Sequence, residues 1–219
     1  MTINHHPSDE TLLGYAAGTL PAGTRLVISV HVQGCSRCAR DVGRFEAIGG
    51  QVLTEAPGTE LSQDLLGRTL ASLDRDDRSS GARGKAVFEA VRRPDGIILP
   101  RALSAYETIP WRWISPGIHL SRVKVQEDPD ANVILLRVGA NRLLPEHGHT
   151  GTEFTQVLTG SLIDGSKRLM PGDIMEASAD LEHQPVAGPE GECICLAVVE
   201  GKLRIGGLIG RTVLSLVGL

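Results

Sequence analysis

The sequence predicts an α+β chain made of two unlike parts: a small helical bundle over residues 1–75 and an all-β barrel over 97–219, joined by a linker at 76–96. Three observations carry this reading. Apolar residues recur at helical spacing through the first seventy-odd positions. Between Asp74 and Lys85 large apolar residues vanish. Beyond Ile97 short β-rich runs alternate with turn dipeptides, the pattern of a barrel or sandwich. The chain has 219 residues, 41% of them hydrophobic and 22% charged, enough apolar material to build a core and to exclude global disorder. Aromatics are only 3%, so Leu, Val, Ile and Ala must do most of the packing.

Each element has its own local reason. Ser8 is a good N-cap, with Asp9 and Glu10 in the first turn where the helix dipole favours acids. Leu12, Leu13, Ala16 and Ala17 give that helix its apolar face, and Gly18 ends it. Pro21 suits the first turn of a second helix carrying Leu26, Val27 and Val30, which closes near Gly34. A third helix places Val42, Phe45, Ile48, Val52 and Leu53 at helical spacing until Pro57-Gly58 breaks it. A fourth, Leu61 to Leu73, has a stripe of Leu61, Leu65, Leu66, Leu70 and Leu73. The run from Asp74 to Lys85 reads as linker, and Ala86 to Arg93 as a short helix ahead of Pro94-Asp95-Gly96. Strands are expected at Trp111–Ile114, Ile118–Val125, Val133–Val138, Phe154–Leu158 and Cys193–Val199. Asp164-Gly165 marks a hairpin, and Pro171-Gly172-Asp173 another turn.

Charge and targeting signals narrow the function. The formal charge is −4, and residues 1–75 carry six Lys/Arg against eight Asp/Glu with no basic stripe, so a nucleic-acid binder is excluded. Met1 to Glu10 has neither the basic start nor the apolar run of a signal peptide. The apolar stretch Thr212 to Leu219 is far short of the roughly 20 residues of a membrane span. The expectation is a cytoplasmic protein whose four cysteines are thiolates or small buried side chains rather than disulfides.

His6, His31, Cys35 and Cys38 form the pattern His-x24-His-x3-Cys-x2-Cys. The two-residue gap lets both sulfurs meet one ion at the start of a helix, and Gly34 permits the turn that brings His31 round to them. Two imidazoles and two thiolates suit Zn²⁺ in a closed structural site that ties the first three helices together. His5 beside His6 leaves the fourth corner open between them. Alone, the dithiol fits a redox pair as well, but the βαβ context of such a pair is missing and His31 favours zinc.

A second constellation is His147-Gly-His149-x3-Glu153-x6-Gly160, with His183 thirty residues after Glu153. On a strand His147 and His149 point the same way, because side chains alternate with period two. Inside a barrel they converge with Glu153 on the next strand and His183 from across the interior. Three imidazoles and a carboxylate suit a divalent metal, Zn foremost, with Mn, Fe or Ni open.

Taken together, the two constellations resemble the ChrR-type anti-sigma factors, in which a zinc-binding anti-sigma domain precedes a cupin-like domain. His6, His31, Cys35 and Cys38 match the anti-sigma signature; His147, His149, Glu153, Gly160, His183 and Pro171-Gly172-Asp173 match the cupin motifs. Two positions depart: Asn141 stands where the first cupin motif commonly has glycine, and Ala187 where the second has asparagine. The resemblance implies that the helical part binds an extracytoplasmic-function (ECF) sigma factor and withholds it from RNA polymerase core. It also implies that the cupin-like part receives an oxidative stress signal, singlet oxygen or organic peroxide. The Leu61/Leu65/Leu66/Leu70/Leu73 stripe suits a groove of such a partner, with packing on its own three-helix bundle as the less favoured alternative. The competing function is a cupin metalloenzyme, a dioxygenase or isomerase, with a fused interaction module. Cys193 and Cys195 face one side of a strand, either as an oxidisable pair or as small core residues.

Overall fold

The computed structural model describes residues 2–76, 91–92, 95–179 and 181–205. Most of the expected linker and the apolar stretch at 212–219 lie outside the described residues. Four helices come first: α1 (Asp9–Ala16), α2 (Ala22–Gly34), α3 (Ser36–Glu55) and α4 (Leu65–Asp76). Ser8 caps α1, its side chain accepting Thr11 N–H at 3.2 Å, and Gly18 turns the chain away with φ of 71°. Pro21 stands at the N-cap of α2. The fourth helix begins at Leu65, so Leu61 precedes it rather than opening it.

The short helix expected over Ala86 to Arg93 is corrected where it is described: β1 (Val91–Arg92) is a strand, antiparallel to β2 (Ile98–Leu99). Gly96, with φ of 83°, helps reverse the chain between them, and cross-strand pairing prevails over a weak helical period. The rest of that segment lies outside the described residues.

After the one-turn helix α5 (Arg101–Ser104) every further element among the described residues is a strand. The strands are β3 (Arg112–Ser115), β4 (Ile118–Arg122), β5 (Asn132–Val138), β6 (His147–His149), β7 (Glu153–Thr159), β8 (Leu162–Asp164), β9 (Lys167–Leu169), β10 (Ile174–Ala177), β11 (Val186–Ala187), β12 (Cys193–Val199) and β13 (Leu203–Ile205). Six of them form one sheet in the order β10-β7-β12-β5-β4-β3, every neighbour antiparallel. Smaller sheets, β11-β8-β9 and β13-β6, face it and close the barrel. The β8–β9 hairpin pairs Asp164 with Lys167 across Gly165 and Ser166.

Strand alternation divides the large sheet into two buried faces. Ile134, Val157, Cys195 and Ala197 point into the barrel, whereas Val133, Leu135, Phe154, Leu196 and Val198 point out. The outward set is not solvated. Leu26, Val27 and Val30 of α2 and Leu12 of α1 pack on it in a single apolar core. Burying each such side chain contributes about 1.5–3 kcal/mol, so α2 is a fixed layer on the barrel. Thr24 Oγ1 adds a 2.5 Å hydrogen bond to Glu200 at the rim.

Gly23 brings α2 close against the sheet. A Cβ there would lie 2.9 Å from Val133 Cγ2 and 3.1 Å from Ala131 Cβ. Gly23→Val should therefore lower thermal stability by about 1–3 kcal/mol through overpacking, whereas Gly43→Val, with open space around it, should cost less than 1 kcal/mol. Paired melting curves of the two variants check this.

Candidate metal centres

The N-terminal cluster forms where two helices meet. His31 is in the last turn of α2, Cys35 is extended between α2 and α3, and Cys38 is in the first turn of α3. Cys35 N–H donates to His31 O at 2.9 Å, closing α2 so that imidazole and thiols face one point. His6 arrives from the segment before α1. Its Nδ1 lies 3.5 Å from Cys35 Sγ and 3.4 Å from Cys38 Sγ, and His31 Nε2 lies 3.3 Å from Cys38 Sγ. All four ligand atoms fall within 4.8 Å of one another. Ligands about 2.0 and 2.3 Å from a tetrahedral ion stand about 3.5 Å apart, so the spacing fits a single tetrahedral metal ion with nitrogen and sulfur ligands.

His5, the other candidate for the fourth corner, points elsewhere: its Nδ1 lies 3.2 Å from Asp173 Oδ2. His31 is fully buried, and its Nδ1–H donates to Gly172 O at 3.0 Å, which turns the Nε2 lone pair toward the thiols. Burial lowers the His31 pKa to about 4, so the ring is neutral and ready to ligate near neutral pH. Burial also lifts the Cys38 thiol to about 12, helped by Cys35 beside it. A cation is what would make that sulfur a thiolate.

The barrel cluster is built by β6, β7 and the bridge that pairs His147 with His183. His147, Glu153 and His183 bring their ligand atoms within 4.8 Å of one another. His183 Nε2 lies 3.0 Å from His147 Nε2 and 3.3 Å from Glu153 Oε2. His149 stands slightly back, its Nε2 3.6 Å from the same Glu153 oxygen.

Each ring is fixed from behind. His147 Nδ1–H donates to Pro145 O, His149 Nδ1–H to Gly151 O and His183 Nδ1–H to Asp164 Oδ2. The Nε2 atoms therefore face inward, and that of His149 is buried with no hydrogen-bond partner. An orphaned acceptor beside two imidazoles and a carboxylate, each with an outer partner, is the donor set of a divalent metal site. Burial disfavours the Glu153 carboxylate, but hydrogen bonds from His147 and His183 outweigh it and hold its pKa below the usual range. Burial likewise opposes charge on His183, yet Glu153 and Asp164 raise it to about 9.

The cluster borders a cavity of about 90 Å³ with mostly aliphatic walls, among them Ile118, Leu120, Ile134 and Leu136. Gly160, with φ of 70°, leaves room that Glu192 O would deny to a side chain. Asn141 holds the same left-handed region at φ of 58°, where asparagine is tolerated. Cys193 and Cys195 are buried on the inward face with sulfurs 3.4 Å apart, and Cys195 borders the cavity.

Of the leucine stripe, Leu61, Leu66, Leu70 and Leu73 are each more than half exposed and Leu65 is partly buried. Ile48, Val52 and Leu53 at the end of α3 are equally open. Among the described residues this face does not pack on its own bundle. Sequence reasoning missed Asp173 and Asp164, the outer partners. Asp164 read as a turn residue and Asp173 as part of a barrel motif, and the sequence carries no signal that either reaches a histidine.

Comparison with known proteins bears on both centres. Residues 100–203 match the family described as the ChrR cupin-like domain. The chain is 34% identical over 218 residues to the anti-sigma-E factor ChrR of Cereibacter sphaeroides, covering 97% of this chain and 97% of that protein. It is also similar to a chain in the crystal structure of Rhodobacter sphaeroides SigE in complex with the anti-sigma ChrR. There the TM-score is 0.74 at 32% identity, over 91% of this chain and 100% of that one.

Metal binding must displace protons from both clusters. At pH 7 the Cys38 thiol and His183 are protonated, because their pKa values of about 12 and about 9 lie above that pH. Calorimetric titration of the metal-free protein with Zn²⁺ should therefore give heats that vary with buffer ionisation enthalpy, with net release of at least two protons. By pH 9.5 the His183 share should have largely gone. In the metal-free protein that histidine's stabilising effect is complete below about 6.5 and fades as pH rises through about 9.

Proposed function

The chain belongs to the ChrR family of anti-sigma factors, and from that premise we propose that it binds an ECF-type sigma factor through its helical part, residues 1–75. It then releases that partner when the barrel, residues 97–219, senses oxidative stress. The protein is a transcriptional regulator rather than an enzyme. The observation that carries the proposal is the open apolar face of α3 and α4. Ile48, Val52, Leu53, Leu66, Leu70 and Leu73 are all more than half exposed, and each of the three turns of α4 presents a leucine to solvent. A soluble chain keeps such a face when a partner covers it in the working state. The partner's chemistry is that of an apolar groove receiving an amphipathic helix, and the similar ChrR chain was crystallised in complex with a sigma factor, SigE.

The metal clusters divide the labour. His6, His31, Cys35 and Cys38 hold Zn²⁺ and lock α2 and α3 together, which fixes the direction of the α3 face. His147, His149, Glu153 and His183 hold a second divalent ion, Zn or, on the same donors, Mn, Fe or Ni. That ion would supply a Lewis-acidic centre; the chain's own residues orient it through Pro145, Gly151 and Asp164 and keep bulk water out with aliphatic walls. The small apolar cavity suits an uncharged oxidant such as singlet oxygen or a short organic peroxide. No helix among the described residues is long and apolar enough to cross a membrane.

Co-expression of the full chain with an ECF sigma factor should yield a complex on affinity purification. Leu66→Asp or Leu70→Asp should weaken it by about 2 kcal/mol or more, roughly thirtyfold, with barrel metal content unchanged. His31→Ala or Cys38→Ala should release the sigma factor. His147→Ala or His183→Ala should leave inhibition intact and abolish its relief by oxidant. A sigma factor that fails to bind the wild-type chain, or binds the leucine variants equally well, overturns the proposal.

A further inference from the structure

The turn at Pro171-Gly172-Asp173 belongs to the barrel by sequence, yet its polar groups face the helical part. Gly172 O accepts His31 Nδ1–H at 3.0 Å. The Asp173 carboxylate, fully buried, accepts Asn4 N–H at 2.7 Å and His5 N–H at 3.0 Å on one oxygen. Its other oxygen accepts Met170 N–H at 2.9 Å, with His5 Nδ1 at 3.2 Å. Ile174 N–H donates to His5 O at 3.3 Å. Ile3 lies so close that a Cβ on Gly172 would stand 2.9 Å from it, and Gly172 takes φ of 95°.

These contacts converge on the two imidazoles of the N-terminal cluster. His31 is held directly, and His6 through the backbone of the two residues before it. Residues 2–8 form no helix or strand, so nothing within their own segment sets where His6 points. Apolar packing of α2 on the sheet would suffice to join the two parts; it would not require buried polar groups aimed at ligand histidines. The thiols need no such help, since the α2–α3 junction places them.

We propose that this turn is the outer shell of the N-terminal metal centre: the Gly172 carbonyl and the Asp173 carboxylate are positioning groups that set the centre's metal affinity from the barrel side. The inference rests on reading His6, His31, Cys35 and Cys38 as a metal site and does not depend on the sigma-factor partner. The turn leads straight into β10, which runs antiparallel to β7 and places Ala177 opposite Glu153. The turn and the Glu153 of the barrel cluster therefore sit on neighbouring, paired strands, which gives the barrel a short route to the N-terminal ion.

The test uses the full chain loaded with Co²⁺. A thiolate-to-cobalt charge-transfer band reports the N-terminal cluster alone, because the barrel cluster has no sulfur ligand. Chelator competition followed on that band gives the affinity, and total metal per chain shows whether the barrel stays loaded. Asp173→Ala should weaken the N-terminal site about tenfold to a hundredfold, the usual effect of losing an outer-shell partner, while one equivalent remains in the barrel. Asn4→Pro removes one N–H donor to Asp173 without touching the barrel and should weaken the site severalfold. An Asp173→Ala protein with a loaded barrel and an affinity within twofold of wild type overturns the proposal. If that variant fails to load its barrel, Asn4→Pro decides by the same twofold criterion. Absence of the band from the wild-type chain overturns the metal reading itself, a result distinct from an unchanged affinity.

Discussion

A neutral imidazole offers a lone pair at one nitrogen only when the other carries the proton, and the direction of that lone pair is fixed only when the proton has an acceptor. Both centres depend on this. Four of the five candidate histidine ligands have an acceptor at Nδ1: Gly172 O, Pro145 O, Gly151 O and the Asp164 carboxylate. Their Nε2 atoms then face the cluster without further constraint. His6 is the exception; it presents Nδ1, and its ring is placed by the backbone that Asp173 holds. Rings fixed in this way lose little freedom on binding an ion, which is the physical basis of tight structural sites.

The second constraint is the double-sided burial of the large sheet. In β12 every residue from Cys193 to Val199 is buried. A barrel strand with a wet outer face would alternate apolar with polar. The continuous run of Cys, Ile, Leu, Ala and Val instead requires a covering layer, and α2 supplies it. The helical and β parts thus share one apolar core, and the Pro171–Asp173 turn adds polar contacts between them.

Much of this was legible in the sequence because the physics is local. Ser8 and Pro21 mark helix starts through capping, Gly165 a hairpin through its φ, and the His-x-His and Cys-x2-Cys spacings put side chains on one side within a single element. What was not legible is long-range. Nothing near Asp173 says that its carboxylate receives the backbone of Asn4 and His5, some 170 positions away. Pairing of Val91–Arg92 with Ile98–Leu99 likewise depends on a partner that a helical period cannot see. The exposure of Leu66 and Leu70 was undecidable from periodicity, since an amphipathic stripe looks the same whether it meets its own bundle or another chain.

The segment ahead of α1 lies along β10, the last strand of the six-stranded sheet, and His5 O occupies the backbone donor of Ile174. Edge strands with free amides recruit other strands. Should the N-terminal segment lift away, the sheet would gain a bare margin able to pair with another molecule. Loss of the N-terminal ion would then open a route to self-association, and the transition would resist reversal because the margin that must be re-covered would already be taken.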